Sequence, residues 1–162
     1  MPDVTGLDRD ERCIELARSR PDADDIAYVH DDFLTRPLSE GSFDLVTSVA
    51  ALHHMDTAAA LERMSGLLRP GGVLAVIGLA RGSSLVDVAL TVPAVIGGRL
   101  HLVASDWHRR RCPSAETYQS PVIWPPPVTY RDIWSLAGRI LTQARYRRHL
   151  YWRYSLIWSK PS

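Results

Sequence analysis

The stretch Phe43-Asp44-Leu45-Val46-Thr47-Ser48-Val49-Ala50-Ala51-Leu52-His53-His54-Met55 decides the fold class. It opens as a β-branched and apolar run and gives way to small residues and a histidine pair. The run from Phe43 to Val49 is too apolar on both faces for a half-exposed strand. It reads as a central strand of a parallel sheet covered by helices on both sides. Asp56 follows as an N-cap candidate ahead of Thr57-Ala58-Ala59-Ala60-Leu61, a strong helix-forming segment running to about Leu68. Strand, short loop and helix make half of a βαβ unit. In open α/β sheets ligands bind beyond the carboxyl ends of such strands, which draws attention to Ser48 through His54.

Working outward, Val4 to Asp8 is a short strand ending in a carboxylate, and Arg9 to Arg20 carries apolar residues at helical spacing until Pro21. Ile26 to His30 is a second strand, ending in Asp31-Asp32. Arg69-Pro70-Gly71-Gly72 reads as a helix stop and tight turn, and Val73 to Leu79 as a further buried strand. This alternation predicts an α/β fold with a Rossmann-like, mostly parallel sheet and helices on both faces. Beyond Arg81 the rhythm breaks. Residues 82–127 form an irregular insertion within a single domain, with an apolar helix over Leu85–Ile96, a basic cluster His108-Arg109-Arg110-Arg111 and Pro125-Pro126-Pro127. An excursion of this length suits a lid over an acceptor site. Thr129-Tyr130-Arg131-Asp132 resembles a capping box that opens a helix to about Leu141. The segment from Ala144 to Lys160, rich in Tyr, Trp and Arg, suggests two antiparallel strands.

Composition sets limits. The chain has 162 residues, 46% of them hydrophobic, and a net charge of +1, so no global field favours nucleic acid or an acidic membrane surface. Cys13 and Cys112 match neither a zinc spacing nor a redox pair, and reduced thiols in a cytoplasmic protein are the plain reading. No run of about 18 apolar residues is present. No metal site is expected.

Carboxylates at strand ends carry the chemistry. Asp8, just after a strand, can accept both hydroxyls of a ribose, and it can equally be a helix N-cap. Asp32 can accept from an exocyclic amine with Phe33 beside a flat base, or Asp31-Asp32 can be a solvated turn. His53 and His54 lie at the right edge of the sheet for a general base, although a histidine there often only packs or hydrogen-bonds.

Together these features agree in order and spacing. Gly6-Leu7-Asp8, His30-Asp31-Asp32-Phe33-Leu34, Gly41-Ser42-Phe43-Asp44-Leu45-Val46, Leu52-His53-His54-Met55 and Leu67-Leu68-Arg69-Pro70-Gly71-Gly72 resemble the class I S-adenosylmethionine-dependent methyltransferases of the small-molecule type. The resemblance is specific over about residues 4–80 and continues weakly to Tyr154–Pro161, which looks like that family's closing strand pair. It implies S-adenosylmethionine as cofactor. Asp8 would hold the ribose with Arg9 beside it, Asp32 the adenine amine, and Phe33 the ring. The backbone around Ser48 and Val49 would meet the methionine part.

One departure stands against these matches. The family begins with a strand, a glycine-rich turn and a helix, and none is found here. The missing strand belongs between the Val4 and Phe43 strands, so each loses a partner. The chain is therefore expected to be the C-terminal part of a methyltransferase, shortened by gene decay or a misplaced start, with roughly 40 or more residues upstream in an intact relative. Three functions stay open: a small-molecule methyltransferase, another nucleotide-binding enzyme such as a dehydrogenase, and a non-catalytic remnant or module. The last would complete its sheet with a second copy or a partner chain through exposed strands.

Overall fold

The computed structural model describes residues 4–21, 23–82 and 125–162. The chain divides into two compact units, Met1–Glu40 and Gly41–Ser162.

In the first unit, strand β1 (Val4–Asp8) runs parallel to β2 (Ile26–His30), with Val4 opposite Ile26 and Asp8 opposite His30. Helix α1 (Glu11–Arg18) makes the crossover. Asp10 starts it by accepting from the Arg12 backbone N–H, and the helix buries Ile14. The Arg18 guanidinium donates to the Tyr28 carbonyl at 2.7 Å and ties the helix end to β2.

The second unit holds a four-stranded sheet in the order β3-β4-β6-β5. Its strands are β3 (Phe43–Val49), β4 (Leu68–Leu79), β5 (Arg145–Arg148) and β6 (Arg153–Ser159). The β3–β4 pair is parallel, while β4–β6 and β5–β6 are antiparallel. Helix α2 (Thr57–Leu67) links β3 to β4, and α3 (Tyr130–Ile140) precedes β5. Both predicted caps form: Asp56 accepts from the Ala59 N–H, and Thr129 and Asp132 bond reciprocally.

Strand alternation sorts the side chains of this sheet. Ser48, Leu74, Val76, Tyr154, Leu156 and Trp158 are buried on one face, where Leu61 and Met64 of α2 and Ile133 and Ala137 of α3 are also buried. Gly78 lies opposite Tyr154, and a Cβ there would collide with the hydroxyl end of the buried tyrosine ring, so a larger residue would force that ring to move. Burial and the neighbouring Tyr146 hold the Tyr154 hydroxyl well above its ordinary pKa.

The α/β class and the strand bounds at Val4–Asp8, Ile26–His30 and Phe43–Val49 agree with the sequence. Among the described residues the Phe43 strand pairs with β4 alone, and Leu45, Thr47 and Val49 on one face are exposed. One expectation needs correction. Arg69–Gly72 do not form a separate turn. They are absorbed into β4, because their backbone finds partners on both sides. Leu68 stands opposite Phe43 ahead of a register shift, and the Gly71 N–H donates to the Lys160 carbonyl while the Lys160 N–H donates to that of Gly72. Gly71 takes φ +78, which a glycine adopts without strain. Asp44, mid-strand, pairs with Arg69.

The core of the 82–127 insertion falls outside the described residues, and with it the expected Leu85–Ile96 helix, the His108–Arg111 cluster, the lid and Cys112. Cys13 is a free, half-buried thiol. Among the described residues no helix is long and apolar enough to cross a membrane.

Candidate functional site

Parallel pairing in register brings the carboxyl ends of β1 and β2 to one rim, and the Asp31 N–H donates to the Asp8 carbonyl across it. Asp8, Arg9, Asp32 and Phe33 all lie on this rim. The Asp8 Oδ1 accepts from the Asp10 N–H at 2.8 Å, which fixes the carboxylate at the mouth of α1. A carboxylate offers about four lone-pair positions, so Asp8 keeps acceptor capacity on an exposed strand end.

Asp31 and Asp32 have different tasks. The Arg36 guanidinium donates to Asp31 Oδ2 at 2.8 Å and, with the Asp32 N–H on Oδ1, holds the Asp31 carboxyl below its usual range. Asp31 is thereby committed to bracing the loop. The Asp32 Oδ1 accepts from the Leu34 N–H at 2.8 Å, and its Oδ2 lies 4.0 Å from the Arg9 guanidinium. Half-buried Phe33 follows directly. The pairing of Asp31 with Arg36 escaped the sequence reading, and five-residue spacing in a loop carries no regular signal for it.

In the second unit the carboxyl end of β3 gathers Ser48, Val49, His53 and His54. Ser48 turns into the buried face, and among the described residues its Oγ has no hydrogen-bond partner. Val49 is exposed. Ala50 then adopts φ +51, a left-handed conformation unusual for a residue with a Cβ, while its N–H donates to the Ile77 carbonyl at 2.7 Å. Nothing in the sequence marks Ala50, since alanine has no preference for that region. A short 3-10 turn, Leu52–His54, places His53 inside, with its ring 3.9 Å from that of His54. Burial first, and the neighbouring His54 second, hold the His53 pKa below its ordinary value, so the ring is neutral at pH 7. Among the described residues its Nδ1 has no partner. A buried polar atom left unpaired calls for an explanation, a bound water or ligand being one.

Among the described residues no group of three His, Cys, Asp or Glu is placed to hold a metal ion.

Comparison with known proteins follows these same elements. A family model described as a methyltransferase domain matches residues 2–76, from β1 into β4. An uncharacterized methyltransferase of Mycobacterium tuberculosis is 34% identical over 162 residues, covering 99% of this chain and 78% of the relative. The 27-O-demethylrifamycin SV methyltransferase of Amycolatopsis mediterranei is 36% identical over 77 residues, covering 44% of this chain and 28% of its own length. Among solved structures, the N-methyltransferase NodS from Bradyrhizobium japonicum in complex with S-adenosyl-L-homocysteine has a TM-score of 0.58 at 15% identity. That match covers 98% of this chain and 66% of NodS, and at such identity the likeness is one of fold.

Proposed function

The chain belongs to the class I methyltransferase family, and from that premise we propose that it is an S-adenosylmethionine-dependent methyltransferase of the cytoplasm acting on a small-molecule acceptor. The observation that carries the cofactor assignment is the rim of β1 and β2. Parallel register sets the Asp8 carboxylate and the Asp31–Asp32 turn side by side, and the Asp31–Arg36 pair leaves Asp32 as the carboxylate available to a ligand. These residues fit an adenosine. Asp8 accepts from the ribose hydroxyls, Asp32 from the adenine amine, and Phe33 lies against the ring. Arg9, 4.0 Å from Asp32, limits that carboxylate's freedom.

The cofactor, when bound, supplies a methyl group already activated on a sulfonium, so the protein's task is alignment and exclusion of water. At the end of β3 the reading assigns the backbone of Ser48 and Val49 to the methionine part, since the Ser48 side chain turns inward. Where the acceptor must lose a proton, neutral His53 or its neighbour His54 is the base on hand. The rifamycin relative, by its name, methylates a small molecule, which supports the acceptor class.

A second reading is favoured by one observation. Among the described residues β1 pairs only with β2, and β3 only with β4, so each keeps an open edge. A module completed by a partner chain would use those edges.

Calorimetric titration with S-adenosylmethionine and S-adenosylhomocysteine tests the first reading. Saturable binding is expected, weakened about tenfold or more by Asp8→Ala, as loss of hydrogen bonds to a charged acceptor implies. A folded chain that binds neither compound would overturn the reading and favour the second.

A further inference from the structure

One peptide group governs where the Asp8 carboxylate sits. A trans peptide is planar, so its carbonyl and its N–H point in opposite directions and turn as one body. In the Arg9–Asp10 peptide the N–H donates to the Asp8 Oδ1 at 2.8 Å. The carbonyl of the same peptide lies 3.1 Å from the His30 Nε2. A carbonyl oxygen only accepts, so Nε2 carries a proton and donates, in the neutral ring as in the charged one. Strand register brings this about. His30 ends β2 opposite Asp8, which ends β1, and the Asp31 N–H donates to the Asp8 carbonyl at 3.0 Å. Past this point the chain turns towards α1, and the imidazole holds the next carbonyl along.

We propose, on the adenosine reading of this rim, that His30 is a positioning residue of the cofactor site. Its ring holds the Arg9–Asp10 peptide so that the Asp10 N–H keeps the Asp8 carboxylate aimed at the ribose hydroxyls. A carboxylate that must meet two hydroxyls at once binds more tightly when it is held in place beforehand. A donor on the carbonyl also polarises the amide and strengthens the N–H that Asp8 accepts. A chance meeting of a surface imidazole with a carbonyl would leave the Asp8 bond indifferent to His30. Here both bonds fall on one rigid group. Nε2 is spent as a donor, which separates the role of His30 from that of a general base.

The test compares the full chain with four variants. His30→Phe keeps a ring and removes the donor, and His30→Gln supplies a side-chain amide that can donate to the same carbonyl. Asp8→Ala removes the acceptor, and the fourth variant combines Asp8→Ala with His30→Phe. In the free chain, exchange of the Asp10 amide followed by NMR should be about threefold faster or more in His30→Phe and in Asp8→Ala. It should be no faster still in the double variant and near the wild-type rate in His30→Gln. The ladder amides of β1 and β2 should keep their rates. In calorimetric titration with S-adenosylhomocysteine, His30→Phe should weaken binding about three- to tenfold and His30→Gln should restore most of it. Added to Asp8→Ala, His30→Phe should cost little more, because its effect passes through that carboxylate. An unchanged Asp10 amide in His30→Phe, or costs in affinity that add in full, would overturn the proposal. So would faster exchange throughout β1 and β2 that glutamine does not rescue, which would make His30 merely structural. A wild-type chain that binds no S-adenosylhomocysteine would overturn the cofactor reading instead, and the Asp10 amide, read without ligand, would still decide whether His30 holds Asp8.

Discussion

His53 is nearly closed off from solvent, and both burial and His54 disfavour its charged form. The consequence for stability has a definite sign. Well above pH 6.5 the ring is neutral whether the chain is folded or not, and titration changes little. As pH falls below 6.5 the unfolded chain takes up a proton that the folded chain refuses, so stability drops until the folded ring is protonated too. Thermal melting between pH 7.5 and 5.5 should therefore show a fall in Tm that is smaller in His53→Phe. An identical slope in the variant would mean that His53 has a proton acceptor in the folded state. Ser48 makes a companion case. Its buried Oγ lacks a partner among the described residues, so Ser48→Ala removes an uncompensated polar atom and should leave stability unchanged or raise it by up to about 1 kcal/mol. A loss of that size in urea denaturation would reveal a partner for the hydroxyl. Backbone contacts to a ligand survive both substitutions.

Helix α3 depends on its first turn. The Thr129 side chain accepts from the Asp132 N–H at 3.2 Å, and the Asp132 carboxylate accepts from the Thr129 N–H at 2.9 Å. Thr129→Ala should cost about 1 kcal/mol in denaturant unfolding, and Thr129→Ser should restore most of it. Equal stability of all three would show that packing of Tyr130 and Ile133 alone sets the start of the helix. This element was legible because Thr129 and Asp132 are local partners. The same holds for β1, β2 and β3, whose apolar runs end at Asp8, Asp31 and Ala50 within the sequence window that defines them. What the sequence hid was contributed from afar. Gly71 reads as a turn until Lys160 supplies backbone partners for it and for Gly72. The site divides the same way: Asp8 and Asp32 follow from the strand ends, whereas the Asp31–Arg36 pair and left-handed Ala50 depend on loop geometry that these residue types do not encode.

At the scale of the whole chain, apolar burial is unequal. Among the described residues Ile14 is the buried hydrophobic side chain of Met1–Glu40, and all the others belong to Gly41–Ser162. A two-stranded sheet with so little buried behind it is marginal by itself. β4, with a strand on each side and Leu74 and Val76 fully covered, is the opposite case. Native-state hydrogen exchange should therefore separate into two regimes. Amides of Val4–Asp8 and Ile26–His30 should exchange through low-energy openings, while those of Leu74–Val76 and Leu156–Trp158 exchange last, near the global limit. Equal protection across both sets in the free chain would contradict the inference from burial. The proposed cofactor adds a second arm to the measurement. A ligand held by Asp8 and Asp32 stabilises the unit that binds it by about 2.7 kcal/mol at a hundredfold excess over Kd. S-adenosylhomocysteine should then slow the β1 and β2 amides by up to about a hundredfold, and Asp8→Ala should cut that slowing to about tenfold or less while leaving the slowest β4 and β6 amides as they were. Protection that ignores Asp8 would detach the rim from the cofactor, whatever the affinity measured by other means.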